Sequence, residues 1–387
     1  MIHFFKIFFL IPFIFLAQNR VVVDGVIVDE FDEPVPYAAV GVVEKNIGVA
    51  SNDEGRFHLV VTINELEDIL EVSSIGFETF KVRVKEFIDA ESQVIVLKEN
   101  ITQLDDVELL APKEYVNAAL KNLKNTTVSK PHQLGILYRR ASVEDYVSRF
   151  FVEQFMHVVD RGPSGHISRL AVKEMRKSAD YRYVKIKQKI HAVNYMDQIN
   201  PLKNGVYTNG FKWKKIGDSN YDGEDIVILN GTRKNGYGFL KLYVGIDTFS
   251  IYKVETNILD ATYIYKKDKN GKLYLSYHNR EWKNKNAKVP PQLYNAYKLQ
   301  GKKVPPSIPV SYRHEVYVMD LKTNKKTFDL KGPDGEGIDM SEIQKPYNAK
   351  FWESISLPPP TAFYKKIKVE LESNYNVPLE VQFQHSN

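Results

Sequence analysis

The chain has 387 residues, enough for two or three domains at roughly 100–200 residues each. Hydrophobic residues make up 43% and charged residues 26%, with 23 Tyr and 21 Phe; this excludes a low-complexity chain and favours strands. With no cysteine, disulfides, thiolate metal sites and a lipidated-cysteine anchor are excluded, and the net charge of +5 divides unevenly, with 7 basic against 17 acidic residues over 20–99 and 45 against 31 over 100–387.

Lys6, the apolar run Ile7–Leu16 and the small residue Ala17 read as a secretory signal over residues 1–17. The run is about half the ~20 residues a bilayer-spanning helix needs, and no later segment is apolar for 18 residues. An uncleaved anchor is the alternative. The mature chain is expected to be exported, to the periplasm or the periplasmic face of the outer membrane, and to meet a membrane at most peripherally.

Residues 19–99 carry short apolar runs separated by turn residues every eight to twelve positions, the spacing of a β-sandwich. Val21–Val28 opens the set, and Pro34 and Pro36 punctuate it. Around Tyr37–Val42, and again through Phe57, Leu59 and Val61, through Leu70 and Val72, through Phe80, Val82 and Val84, and through Val94 and Val96, side chains alternate with period two. Asn52-Asp53-Glu54-Gly55 reads as a tight turn. About seven strands are expected, with no long helix.

These segments carry a pattern. Gly25 with Asp29, Pro34 with Ala38, Gly48 with Asn52, Gly55 and Phe57, and Ser73 with Gly76 and Phe77 resemble the carboxypeptidase-regulatory-like domain of Gram-negative envelope proteins. The resemblance implies a seven-stranded, transthyretin-like sandwich without catalysis of its own. It covers about a fifth of the chain.

Residues 100–129 read as a linker followed by a helix over Pro112–Asn125, with proline at its first turn and Val116, Ala119, Leu120 and Leu123 on one face. Residues 130–356 return to strand patterns. Asn209-Gly210, Asp222-Gly223, Asn230-Gly231, Asn235-Gly236 and Asn270-Gly271 each read as a hairpin turn. The expected architecture is a large antiparallel meander. With its Tyr138-Arg139-Arg140 strand and Phe351-Trp352-Glu353, it resembles the lipoprotein-carrier half-barrels in which a curved sheet wraps a helix. Residues 357–387 read as a proline stop, a helix from about Ala362 to Glu372 capped by Thr361, and a polar tail.

Three patterns invite a chemical reading. His278-x-x-Glu281 has the spacing of a zinc-ligand pair, with His314 as the candidate third ligand. On a strand, however, alternation sends His278 and Glu281 to opposite faces. Asp218-x-Asn220-x-Asp222-Gly223 opens like a calcium loop, but Leu229 stands where a bidentate Glu is needed, so a polar hairpin is expected. Asp334–Asp339 reads as a surface loop. Basic runs at Arg139-Arg140, 185–189, 212–215, Lys266-Lys267, Lys302-Lys303 and Lys325-Lys326 read mostly as solvated faces and hairpin tips, or as attraction for the acidic first domain, anionic lipid or glycan.

The residues therefore imply a mainly β protein with no catalytic residue, metal site or cofactor. The expected function is a non-enzymatic envelope protein, in which a sandwich docks and a curved β domain binds a lipid, glycan or protein partner, with no nucleic acid. Two alternatives stand beside it: a hydrolase of envelope polymers, and a relative or fragment of a TonB-dependent transport system.

Overall fold

Residues 20–100, 110–163, 165–184, 193, 196, 200, 202–203, 210–234, 236–258, 260–334 and 339–386 are described by a computed structural model. The expected signal, residues 101–109 of the linker, residues 185–189 of one basic run, Asn209, Asn235 and residues 335–338 lie outside the described residues.

Seven strands form two facing sheets at the start. One holds β1 (Arg20–Val28), β4 (Arg56–Thr62) and β7 (Val94–Val96), in the order β4-β1-β7. The other holds β2 (Ala39–Val42), β3 (Ile47–Ala50), β5 (Ile69–Ser73) and β6 (Phe80–Arg83), in the order β3-β2-β5-β6. The expected alternation is real: along β4, Phe57, Leu59 and Val61 are buried while Arg56 is exposed. They meet Ile27, Val40, Val49, Leu70, Val72 and Ile95 between the sheets. Burial of each such side chain contributes roughly 1.5–3 kcal/mol. The strand expected to run to Val84 stops at Arg83, where a short helix, α1 (Val84–Ile88), turns Val84 and Phe87 into the core.

The turn before β4 shows why its residues are what they are. Asn52 Oδ1 accepts from the backbone N–H groups of Glu54 and Arg56, both at 2.9 Å. Gly55 has φ +73°, and a Cβ there would lie 2.3 Å from the Ile27 carbonyl oxygen. Only glycine fits.

The rest of the chain builds one antiparallel sheet of ten strands, curved but not closed. Its strands are β8 (His132–Glu144), β9 (Val147–Asp160), β10 (Arg169–Lys177), β11 (Phe211–Tyr221), β12 (Glu224–Arg233), β13 (Phe239–Gly245), β14 (Ile251–Thr256), β15 (Ala261–Lys267), β16 (Leu273–Ala287) and β17 (Ile308–Lys322). The order β10-β9-β8-β17-β16-β15-β14-β13-β12-β11 shows two meanders, joined by the last strand. One face, here called inner, carries the main core, in which Val116, Ala119 and Leu123 of helix α2 (Pro112–Thr126) join Leu134, Ile136, Val152 and Val316; the helix itself lies against β11 and β13.

Two expectations need correction. Asn230-Gly231 is not a turn; it lies within β12, where Gly231 pairs with Trp213. A Cβ on Gly231 would sit 2.8 Å from the Trp213 ring, so the glycine makes room for an aromatic neighbour. The polar tail is not a tail either. Beyond the helices α3 (Pro291–Leu299), α4 (Ala349–Trp352) and α5 (Ala362–Ser373), residues Leu379–Ser386 form α6. Leu379 and Phe383, one turn apart, pack with Phe151, Ile367 and Leu371 on the outer face of the sheet. Thr361 caps α5 as expected, accepting from Tyr364 N–H at 3.5 Å. Among the described residues no helix is long and apolar enough to cross a membrane.

Candidate functional site

Strand alternation and register decide the histidines. His278 points inward from β16, while Glu281 points outward and pairs with Lys283 at 2.8 Å. His314 reaches His278 from β17, where Arg280 pairs with His314 and His278 with Val316. The two Nε2 atoms are 3.2 Å apart. His278 Nδ1 lies 2.9 Å from the Thr262 carbonyl oxygen, which fixes Nδ1–H as the donor there. His278 Nε2 therefore accepts, and His314 Nε2–H donates to it. Burial lowers the His278 pKa to about 3 and takes His314 well below its ordinary value. The pair is neutral at pH 7.

The surroundings are cationic and aromatic. Tyr263 stacks on His278 at 4.3 Å, and the Arg140 guanidinium lies 4.2 Å from the Tyr312 ring centroid. Arg140 and Arg280 both help depress His314. Arg140 Nε, Ser142 Oγ and His314 Nδ1 are buried without a hydrogen-bond partner among the described residues. Among those residues no group of three His, Asp or Glu side chains could hold a metal ion. Two neighbouring guanidinium groups disfavour a cation beside these histidines.

The outer face carries the opposite chemistry. Arg139 Nε donates to Glu153 at 2.7 Å, and Arg176 Nε donates to the other oxygen of Glu153 at 2.6 Å. Arg313 donates to Glu315 at 2.9 Å, and Tyr317 donates to its second oxygen at 3.2 Å. Both glutamates are fully buried. Arg176 and Arg139 hold the Glu153 carboxyl well below the usual range despite its burial. Burial raises Glu315 in spite of Arg313 and Arg139. Residues Pro358–Pro360, α5 and the sandwich cover this network, with Tyr37 stacked on Tyr277 at 4.3 Å and Arg313 3.6 Å from Asp53.

Among the described residues the sandwich has an open edge. β1 pairs with β4 from Arg20 to Val26, but with β7 only from Val26 to Val28. The other side of Val22–Gly25 faces a groove of about 710 Å³, lined by Val22, Asp24, Phe87, Gln93 and Val94 among others. Val22, Val94 and Val96 are each nearly half exposed. Unpaired strand edges are templates for another strand.

The remaining motifs resolve simply. Asp218 and Asn220 lie on β11, Asp218 pairs with Lys215 at 3.0 Å, and Asp222 pairs with Lys267 at 3.1 Å, so no oxygen cage forms among them. Asp339, expected on a surface loop, is held by Arg182 at 2.8 Å. Arg139 and Arg140, expected among solvated basic runs, are both buried, one on each face of β8. Charge counting does not detect burial. The signal that could have done so is their place in an uninterrupted β pattern.

Comparison with known proteins now bears on the first region. Residues 23–109 match the family model of the CarboxypepD_reg-like domain. The sandwich is a carboxypeptidase-regulatory-like domain. Among curated proteins none matches the chain. Solved structures that align with it include a DUF1329 family protein from Desulfovibrio piger (13% identity, 58% of this chain and 95% of that one, TM-score 0.26). A LolA superfamily protein from Nitrosomonas europaea aligns at 12% identity over 56% of this chain and 94% of its own, TM-score 0.18. MucB in complex with MucA(peri) aligns at 10% identity over 59% and 62%, TM-score 0.23. Scores this low carry no argument about the sheet.

The signature residues of the regulatory-like domain converge on the junction. Asn52 Nδ2 donates to the Pro359 carbonyl at 2.9 Å, and Gly76 N–H donates to the Asn220 carbonyl at 2.7 Å. Ser73 Oγ lies 3.3 Å from Tyr221 Oη, and Gly48 lies against Lys266. The pattern that marks the domain also seats it on the ten-stranded sheet.

Proposed function

We propose that the chain is an exported, non-enzymatic binding protein of the cell envelope. Its regulatory-like domain docks onto an extended segment of an envelope protein, and the ten-stranded sheet fixes that domain's orientation. The observation that carries this reading is the edge of β1, unpaired among the described residues, beside an apolar groove. A partner strand laid there gains main-chain hydrogen bonds along Val22–Gly25 and contact with Val22 and Val94. The chemistry of the sheet favours binding over hydrolysis. The neutral histidine pair lies on the inner face, and the buried carboxylates Glu153 and Glu315 lie on the outer face, locked by arginines.

A photo-crosslinking residue at Val22, in the full chain expressed in its host, tests this. The expected result is one envelope protein crosslinked through a short extended segment, at least tenfold less in Val94→Lys. Cell fractionation is expected to place the chain with periplasmic or outer-membrane markers. Crosslinks that Val94→Lys leaves unchanged overturn the docking reading. A lipid or glycan that co-purifies in native mass spectrometry, with no protein at Val22, replaces it with a carrier. Release of soluble fragments from envelope polymers replaces it with a hydrolase.

A further inference from the structure

Where the regulatory-like domain meets the sheet, a cleft of about 90 Å³ opens between β2, β3 and β5 on one side and β11, β15 and β16 on the other. A water needs roughly 10–15 Å³ of such space, so the cleft has room for several waters or one small anion.

Lys266 and Tyr274 face each other across the β15–β16 ladder, with the Lys266 ammonium 5.4 Å from the Tyr274 ring centroid. On the opposite wall Gly41 and Gly48 are direct partners in the β2–β3 hairpin and present bare backbone. A Cβ on Gly48 would lie 3.1 Å from Lys266 Nζ. The glycine leaves room for the amine beside the hairpin, and Lys266, which lines the cleft, remains partly exposed. Thr79 Oγ1, also in the lining, is buried without a hydrogen-bond partner among the described residues.

The other charges of the cleft are matched. Asp222 pairs with Lys267 at 3.1 Å, and Glu71 pairs with Lys81 at 3.2 Å. Lys266 has neither an ion pair nor a hydrogen bond among the described residues, and burial alone lowers its pKa to about 8. A partly buried ammonium without a counter-charge is costly. A carboxylate or phosphate removes that cost with a charge-assisted hydrogen bond.

We propose that this cleft binds a small anion bearing one carboxylate or phosphate group, with Lys266 as its counter-charge and the hydroxyls of Thr79 and Tyr274 as further donors. Its walls come from both regions, so the bound anion ties the regulatory-like domain to the sheet and stabilises the joined arrangement by mass action. The site is separate from the β1 groove and stands or falls without it.

Calorimetric titration of the full chain with acetate and with inorganic phosphate, beside NMR of the lysine ε-methylene groups, tests the site. Saturable binding of at least one anion is expected at pH 7, at least tenfold weaker in Lys266→Met. Acetate affinity is expected to fall about tenfold per pH unit above pH 8. In the wild-type chain, the Lys266 ε-methylene resonance is expected to titrate at higher pH once the anion is present, a readout that requires no variant to fold. Saturation by neither anion overturns the proposal. So does binding that Lys266→Met leaves unchanged, or a Lys266 resonance that the anion does not move.

Discussion

The two faces of the ten-stranded sheet bury titratable groups in different ways. On the outer face, Glu153 keeps its charge because Arg139 and Arg176 each reach one of its oxygens, at 2.7 and 2.6 Å. On the inner face, His278 and His314 give up charge, and one ring donates to the other with Arg140 and Arg280 close by. A paired charge is sensitive to loss of its partner. A neutral pair is sensitive to protons. The difference follows from alternation: Arg139 and Arg140 are neighbours in the chain, yet they belong to opposite chemistries.

The largest effect should come from breaking the outer network. Arg139→Met leaves Glu153 with one arginine and Glu315 with Arg313 alone, both still fully buried. Removing one partner of a buried pair costs about 3–5 kcal/mol, because the remaining charge is stranded. Urea unfolding of the full chain, compared with wild type, measures it. A loss below about 1 kcal/mol would show that the charges relax independently, and the contrast between the faces would fail.

Acid should act on the inner face first. His278 is depressed from 6.5 to about 3 in the folded chain, so the unfolded chain binds its proton more readily. Its stabilising contribution is complete above pH 6.5 and is lost as pH falls toward 3. The slope is about 1.4 kcal/mol per pH unit for one proton. The depressed Glu153 acts in the same direction, but only below the ordinary carboxylate pKa of about 4.5. The raised Glu315 acts in the opposite direction, contributing as pH falls through its folded pKa. In the interval from pH 6.5 to 5.5 the histidine contribution is isolated by comparing wild type with a variant that lacks the ring nitrogens. His278→Phe should flatten the stability curve there by about one proton, measured as urea midpoint against pH. An unchanged slope would mean that the pair is protonated in the folded chain.

Much of this architecture is legible in the sequence, and the exceptions share a cause. Period-two burial marks β4 and β5, and the spacing of Gly48, Asn52, Gly55 and Gly76 marks the domain, because local turns and burial require those residues. Helices α2 and α5 declare themselves through Pro112 and Thr361. By contrast, β17 lies between β16, from which helix α3 separates it, and β8, which is far away in sequence, and no local pattern encodes that placement. The meeting of His278 with His314 depends on it. So does the burial of Arg139 against both Glu153 and Glu315. The partnership of Lys266 with Gly48 needs the sandwich seated on the sheet, a relation between two regions that strand patterns do not contain. Leu379 and Phe383 were legible as an i, i+4 pair, but the polar residues around them hid α6.

The mildest expected effect tests whether that seating matters to the molecule. Asn52 is fully buried and its side chain makes three hydrogen bonds: two hold its own turn, and the third crosses to the Pro359 carbonyl at 2.9 Å. Asn52→Ala removes all three. Losses of this kind cost about 1–3 kcal/mol, depending on whether water reaches the abandoned groups. Asn52→Asp separates the roles, since its carboxylate can still accept from Glu54 and Arg56 but cannot donate to Pro359. If the junction is a structural joint, Asn52→Asp should keep the turn yet raise hydrogen exchange in residues 357–362 and the Val60–Ser356 contact, where Val60 N–H donates to Ser356 Oγ at 2.8 Å. If exchange rises only around residues 52–56, the signature asparagine serves its own turn alone, and the sandwich rests on the sheet through the aromatic stack of Tyr37 on Tyr277 and the Gly76–Asn220 bond.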